Sequence, residues 1–488
     1  MQVLNRELER ISAQYLGGIP TDRIATVVAV LLSYVLAHVY RRIPTSGDGA
    51  YKHVFSIAST VVLFGAVQEQ WWGLAHLLCG ALVAHTLMKT LRGRGMVAAV
   101  FLTAMAHMSY SQIRRQLAET AAANGSDGSV HVDLDHTGAQ MVFVIKITSL
   151  AWCVYDGTQS QDSLSSYQKK NAIAAVPGLL ELLGYVFFFP GLAVGPAFEL
   201  ATYRRMVRLD SLRTLRTQTP RAYRRLGESV VWMAVYVVYG GKYVFPYMAT
   251  DRFAATHPTY LSKVLYMCAA GVAARAAYYT AWKMSEGACV VAGLGFDGID
   301  NGAVRWLDIS NVHVRGVELG SSLKTMIDSW NIGTNTWLRH HVYLRILQLT
   351  SSRRDTAAAT TTATGVTFLV SAWWHGFYPG YYLTFVLGAA SSNAARTLRR
   401  ALNPLFVAPS VRRPYVKRIY DVVGWALSKY SLDFIVTPFM ALSLSTSLRA
   451  WAAMLYAVPL GVLAVNVVFN ILGLGRRLRR IHERAKLE

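Results

Sequence analysis

The sequence predicts an all-α protein, a polytopic bundle of membrane helices, and three observations carry that expectation. Hydrophobic residues make up 53% of the 488 positions and charged residues only 16%, a balance that suits hydrocarbon better than water. The apolar residues gather into nine runs, near 23–39, 53–68, 72–88, 96–110, 139–155, 228–246, 260–282, 421–442 and 449–473. Lys and Arg cluster between the runs, as they do in loops that face the cytoplasm. Inside a bilayer each backbone N–H and C=O must pair within its own segment, so the runs are expected to be helices and not open sheet.

The first 20 residues are polar and mixed in charge, without the pattern of a cleavable signal peptide. Residues 1–21 therefore read as an N-terminal segment, and 1–488 as a single membrane-embedded domain. Trp71-Trp72 and Tyr278-Tyr279 stand at run ends, where interfacial anchors belong. Arg41-Arg42, Lys89/Arg92/Arg94, Arg204 to Arg225, Arg339 to Arg354, Arg396 to Arg418 and Arg476 to Lys486 are the expected cytoplasmic segments. The stretch 116–135, with Glu119, Asp127, Asp133 and Asp135, is expected on the other side. Strict alternation then puts 156–171 in the cytoplasm, and one more crossing at 174–195 would put the eight arginines of 204–225 in the lumen. A segment that enters and leaves by one face removes the conflict. Pro177-Gly178 and Pro190-Gly191 permit its breaks, provided the irregular backbone is buried in protein.

Residues 284–362 are too polar to span and too long for a plain loop. With Glu286, Asp297, Asp300, Asp308, Glu318 and Asp328, the region reads as amphipathic and re-entrant helices on the cytoplasmic side. Residues 474–488 read as a basic cytosolic tail. Its end, Arg484-Ala485-Lys486-Leu487-Glu488, is similar to a dibasic retrieval signal of the endoplasmic reticulum, and equally to a basic helix beside a membrane.

The net charge of +22 comes from 49 basic against 27 acidic residues. A nucleic-acid-binding chain is not half apolar, so the excess is assigned to loops. Cys79, Cys153, Cys268 and Cys289 form no close pair. Neither a zinc site nor a disulfide framework is expected, and the four read as buried small hydrophobes.

Two segments concentrate polar chemistry among aromatic residues. In the first, 328–343, a continuous helix would put Asn331, Thr334, Asn335 and Leu338 on one face and Trp330 and Trp337 on another. In the second, 370–382, His375 sits in an apolar, aromatic run between Phe368 and Leu387. Ionisable groups at such depth are costly and tend to be functional. Neutral imidazole accepts a proton near neutral pH, as is needed when an alcohol attacks a thioester. A core histidine bonded to a backbone carbonyl is the other reading of the same residue. His340-His341 diverge on a helix and have no carboxylate at ligand spacing, so no metal is expected. No Gly-x-Ser-x-Gly elbow marks a serine hydrolase. Interrupted helices also suit a transporter, in which His375 would serve a proton relay.

Trp330-Asn331, Trp337-Leu338 and Val342-Tyr343, followed by Trp374-His375-Gly376 and Pro379-Gly380-Tyr381, resemble the membrane-bound O-acyltransferase family. Asp135-His136-Thr137-Gly138-Ala139-Gln140-Met141, Tyr155-Asp156-Gly157 and Gly195-Pro196-Ala197-Phe198-Glu199 resemble its lysophospholipid acyltransferase branch. So do Trp282-Lys283-Met284-Ser285-Glu286-Gly287 and Gly293-Leu294-Gly295-Phe296. The resemblance runs from about residue 50 to 450, with the Ala/Thr run 356–364 as an apparent insertion. It implies a helical bundle enclosing a catalytic chamber, with His375 catalytic and Asn331 its paired residue. The implied reaction moves a long-chain acyl group from acyl-CoA to the free hydroxyl, at sn-2, of lysophosphatidylcholine or lysophosphatidylethanolamine. Acyl-CoA is then a co-substrate, and no cofactor or metal is implied. Asn331 would orient the thioester or the histidine, or donate to the developing oxyanion. Trp330, Asn335, Trp337, Trp374, Tyr378, Glu199, Glu286 and Arg339 are the candidate substrate contacts. Glu199 is either a headgroup contact or a partner for an arginine. The arginines of 204–225 and 339–354 suit CoA phosphates, and Phe187-Phe188-Phe189 suits an acyl tunnel or, equally, a face toward lipid. A sterol, diacylglycerol or protein acceptor is the alternative within the family. The expected location is the endoplasmic reticulum membrane with a cytosolic C-terminus.

Overall fold

Nearly every apolar run becomes a helix in the computed structural model, which describes residues 7, 9, 10, 12, 14, 20–45, 47–123, 135–208, 218–300, 303–350, 356–406, 414–475, 477 and 478. Asp127, Asp133, Arg213, Arg216, Arg353, Arg354, most of 1–21 and nearly all of the tail from 474 lie outside the described residues. The chain folds as two compact units.

The first unit comprises Met1–Ala234, Tyr278–Asn311 and Ile332–His341. It begins with α1 (Thr21–Tyr40), α2 (Ala50–Thr60, continued as a π-helix over Val61–Val67), α3 (Trp71–Thr90), α4 (Gly93–Ala123) and α5 (Thr137–Asp156). These five are long and apolar enough to cross a membrane among the described residues. In α5 the most apolar stretch is 83% buried, against 28–44% in the others, so α5 is the inner helix and the rest keep a face outward. Cys79, expected to be buried, is exposed on α3, while Cys153 and Cys289 are buried.

The expected re-entrant segment 174–195 contains one helix, α7 (Leu179–Val186), after the short α6 (Ser166–Asn171). Eight residues rise about 12 Å, too little to cross a bilayer. The irregular backbone beyond it lies inside protein, with Phe187, Phe188, Phe189 and Leu192 buried. Lys146 of α5 reaches that backbone, its ammonium donating to the Tyr185 carbonyl at 2.6 Å. Next come α8 (Leu200–Arg208) and α9 (Gln218–Tyr239). The run expected to be helical over 228–246 starts ten residues earlier and stops at Tyr239, where Gly240-Gly241 intervene before the 3-10 turn Phe245–Ala249.

After α10 (Asp251–Thr256), α11 (Tyr260–Ala292) runs 33 residues and takes Lys283 and Glu286 into its last turns. A β-hairpin follows, where amphipathic and re-entrant helices were expected: β1 (Phe296–Asp300) pairs antiparallel with β2 (Ala303–Trp306). Asn301-Gly302 stands between the strands, a dipeptide that favours a two-residue hairpin turn. The rest of that region is short helix: α12 (Val314–Leu319), α13 (Leu323–Asp328), α14 (Ile332–Trp337), a π-helical Leu338–Tyr343 and α15 (Leu344–Thr350).

The second unit comprises Val235–Ala277, Val312–Asn331 and Val342–Glu488. Its long helices are α16 (Thr356–His375), whose first turns are the Ala/Thr run, α17 (Pro379–Phe406) and α18 (Pro414–Ala441). Phe245, Phe253, Tyr266, Met267, Phe434 and Trp451 form its core. The run expected to span over 449–473 is instead two helices, α19 (Leu444–Ala453) and α20 (Ala457–Val465, extended as a π-helix), bent by 77°. Leu455 and Tyr456 between them are left-handed, with φ of 56° and 48°, and a residue with positive φ cannot continue a right-handed helix.

Candidate functional site

His375 is the last residue of α16. Gly376 takes φ 123°, a conformation open to glycine and closed to L side chains, so the helix stops there. Pro379 then opens α17, where a missing N–H costs no hydrogen bond. Gly380 donates its N–H to the Leu442 carbonyl at 2.8 Å, and a Cβ at 380 would collide with the Pro438 carbonyl. That close approach brings the start of α17 against the end of α18, and with it Phe439.

The result is an aromatic sleeve. The His375 ring stacks on Phe385 (centroids 5.2 Å apart, 24° between planes), meets Phe439 edge-on at 4.9 Å, and has Trp374 at 4.7 Å and Tyr381 at 5.7 Å. The ring is half-buried. Among the described residues no group hydrogen-bonds either of its nitrogens. Among the described residues no backbone carbonyl pins the ring, and both nitrogens face no committed partner there. Of the other expected contacts here, Trp374 is buried and Tyr378 half-buried, edge-on to Tyr381.

Asn331 belongs to the same compact unit but is presented differently. Ser329 closes α13 by donating to Thr325, and Trp330 donates to the Ile327 carbonyl at 3.1 Å. Asn331 then turns left-handed, with φ 44°, which Asn tolerates better than most side chains. The continuous helix expected over 328–343 is therefore broken at Asn331. Trp330 lies just past the end of α13 and Trp337 ends α14, so they share no face, and Asn331 does not line up with Thr334, Asn335 and Leu338. The π-helix from Leu338 shifts the phase again. Helix α13 packs on α17 and α18, the two helices that supply Tyr381, Phe385 and Phe439.

In the first unit, Glu199 is the centre of a second polar group. Its carboxylate accepts from Tyr167 Oη (2.8 Å), His341 Nε2 (3.0 Å) and Cys153 Sγ (3.4 Å). Burial alone would raise its pKa; His341 and these hydrogen bonds outweigh burial and lower it. The expected arginine partner of Glu199 is thus a histidine. His340 stacks on Tyr167 at 3.7 Å, and the buried Nδ1 of His341 has no hydrogen-bond partner among the described residues. Trp337, 1% exposed, donates to Thr148 Oγ1 at 3.0 Å, Asn335 is half-buried, and Arg339 is exposed.

Glu286 is fully buried and engaged by Lys283 Nζ (2.9 Å), Arg225 Nε (3.2 Å) and the Asn311 N–H (2.6 Å). Arg204 makes a two-pronged pair with Glu181, which leaves Arg208, Arg221 and Arg224 exposed in that arginine segment. Phe187, Phe188 and Phe189 are packed in a buried aromatic core, Phe188 and Phe189 edge-on to Tyr40. Two features escaped the sequence reading. Gln140 of α5 is fully buried with no partner for either side-chain atom among the described residues. Arg275 and Asp433 form a buried pair in the second unit; charges inside the runs 260–282 and 421–442 were the available signal.

The sequence pattern of the membrane-bound O-acyltransferase family matches residues 129–437. A lysophospholipid acyltransferase of Schizosaccharomyces pombe is 32% identical over 464 residues, covering 93% of this chain and 87% of that protein. A lysophospholipid acyltransferase of Saccharomyces cerevisiae is 29% identical, over 92% of this chain and 74% of its own. Human membrane-bound glycerophospholipid O-acyltransferase 2 is also 29% identical, over 96% and 88%.

Proposed function

This chain belongs to the membrane-bound O-acyltransferase family, and from that premise we propose that it re-acylates lysophospholipids in phospholipid remodelling, with long-chain acyl-CoA as donor. It is an integral membrane acyltransferase. The observation that carries the acceptor is the match along nine-tenths of the chain to a relative named for that reaction. The acceptor is the free sn-2 hydroxyl of lysophosphatidylcholine or lysophosphatidylethanolamine.

His375 is the general base. One ring nitrogen takes the glycerol hydroxyl proton as that oxygen attacks the thioester carbonyl. The new C–O bond forms, the C–S bond breaks, and the imidazolium returns its proton to the departing CoA thiolate. A ring held by aromatic faces, with both nitrogens uncommitted, supports this role. The Asn331 amide N–H donates to the carbonyl oxygen as negative charge builds on it. Both substrates meet on one enzyme without an acyl-enzyme intermediate, so proximity supplies much of the rate. Acyl-CoA is the co-substrate, and no cofactor takes part. The exposed Arg208, Arg221, Arg224 and Arg339 suit the CoA phosphates. Such a protein belongs in the endoplasmic reticulum membrane, with its basic C-terminus in the cytosol.

Membranes containing the protein, given labelled oleoyl-CoA and a panel of lysolipids, should form the diacyl product. His375→Ala should reduce the rate by about 10³-fold or more. Acylation that survives this substitution removes His375 as the base; purified, folded protein that acylates no lysolipid removes the acceptor assignment.

A further inference from the structure

The second compact unit holds a cluster of buried charges that the proposed reaction does not use. Arg275 of α11 is 6% exposed, and its guanidinium bridges two elements. Nε and Nη2 donate to the two carboxylate oxygens of Glu318 on α12, at 2.7 and 3.2 Å, and Nη1 donates to Asp433 of α18. Lys429, one turn before Asp433, pairs with Glu318 as well. Trp425 of α18 donates its indole N–H to the Glu318 backbone carbonyl at 2.8 Å. Asp433 is fully buried, and a Cβ at Gly271 would fall on its carboxylate, so α11 and α18 approach closely at this point.

The element these charges grip is short. Helix α12 has six residues, too few to hold a helix or a position without tertiary contacts. The two helices that grip it have 33 and 28 residues. From α12 the contact passes to the turn that carries Asn331. The His313 N–H donates to the Ser329 carbonyl at 2.9 Å. Gly316 lacks a side chain where the Ser329 hydroxyl sits, and Asn331 follows Ser329 by two residues. Burial would raise the pKa of Glu318, but Arg275 and Lys429 outweigh it and bring it to about 2. Glu318 is therefore ionised at neutral pH.

We infer that the Arg275–Glu318–Lys429–Asp433 cluster holds Asn331 in its reactive position through α12 and Ser329, with Glu318 as a positioning residue for acyl transfer. Buried ion pairs add little stability over apolar packing of the same volume, and fixing one geometry is among their attested uses. The inference rests on Asn331 acting in the transfer. A shift of about 1 Å in such a group costs about 100-fold in rate.

Steady-state acylation by the purified full chain tests this with three variants, each made in the parent and in an Asn331→Gly background. Glu318→Gln removes the charge; Lys429→Met weakens it from one side; Gly316→Ala pushes on Ser329 and touches no charge. Each should lower kcat, Glu318→Gln and Gly316→Ala by about 10- to 100-fold, with both KM values within about twofold. In an Asn331→Gly background, which keeps the left-handed turn but lacks the amide, the same substitutions should cost nothing further, because coupled residues do not add. Losses that multiply in that background would overturn the inference, as would an unchanged kcat in Gly316→Ala and Lys429→Met. Should Glu318→Gln fail to fold, those two variants carry the test alone. Full kcat in Asn331→Gly by itself would instead sink the reading beneath it, and the inference with it.

Discussion

His375 closes a twenty-residue helix and is surrounded by aromatic faces, whereas Asn331 stands on a left-handed turn between two six-residue helices. The histidine is positioned by packing: Phe385 and Phe439 limit how its ring tilts, and Gly376 and Gly380 let the helices come close enough to do so. The asparagine is positioned by backbone conformation, anchored through Ser329, α12 and the charges beyond it. Packing degrades in small steps as contacts are removed. A turn set by one positive φ has no neighbouring solution, because a right-handed Asn331 would redirect everything after it.

After His375→Ala, the largest effect should come from breaking the turn and the amide separately. Asn331→Ala and Asn331→Gly should both lose about 100- to 1,000-fold in kcat, the usual loss for an oxyanion donor. Only the alanine should also lose stability, by about 1–2 kcal/mol, because it has a Cβ at positive φ without the polar side chain that lets Asn tolerate it. Acylation rates and thermal unfolding of the two purified variants separate these outcomes; a fully active Asn331→Gly would mean that the turn matters and the amide does not. Around His375 the effect should be milder. Phe439→Leu keeps bulk but deletes an edge-on ring contact of about 0.5–1.5 kcal/mol, so kcat should fall about two- to tenfold. A drop as deep as that of Asn331→Gly would erase the contrast between the two segments.

The smallest effect concerns pH. Glu318 titrates near 2 in the folded protein, below the usual 4.5, so the folded state binds its proton less readily than the unfolded chain. Its contribution to stability is complete above about pH 4.5 and is lost as pH falls through about 2. Unfolding temperatures measured from pH 6 down to 3 should fall more steeply in the parent protein than in Glu318→Gln. Parallel curves would show that the anchor of the Asn331 arm is not electrostatic.

Much of this architecture was legible beforehand for a simple reason. Hydrocarbon forbids unpaired backbone groups, so apolar runs such as 139–155 can only be helices, and α5 runs Thr137–Asp156. His375 stood out because an ionisable side chain inside an aromatic run is costly. Helical periodicity, however, treats every residue as right-handed. It therefore carried one helix through Asn331, and another through Leu455 and Tyr456, where the chain turns left-handed. The hairpin at 296–306 was missed because strands of five and four residues are too short to announce themselves as a run.

Glu199 and Glu286 mark where local reading ends. From the sequence each is a candidate substrate contact, and only the structure shows that Glu286 lies among Lys283, Arg225 and the Asn311 N–H, and Glu199 among Tyr167, His341 and Cys153. Composition and periodicity by themselves determined a helical membrane protein and picked out the histidine in its aromatic run, since both follow from the cost of placing each residue in hydrocarbon. Which carboxylate meets which cation, and which way the backbone turns at Asn331, depended on groups far apart in the chain. Tertiary structure alone decided those, because an ion pair or a left-handed turn is favourable only once its partners have been brought within a few ångströms.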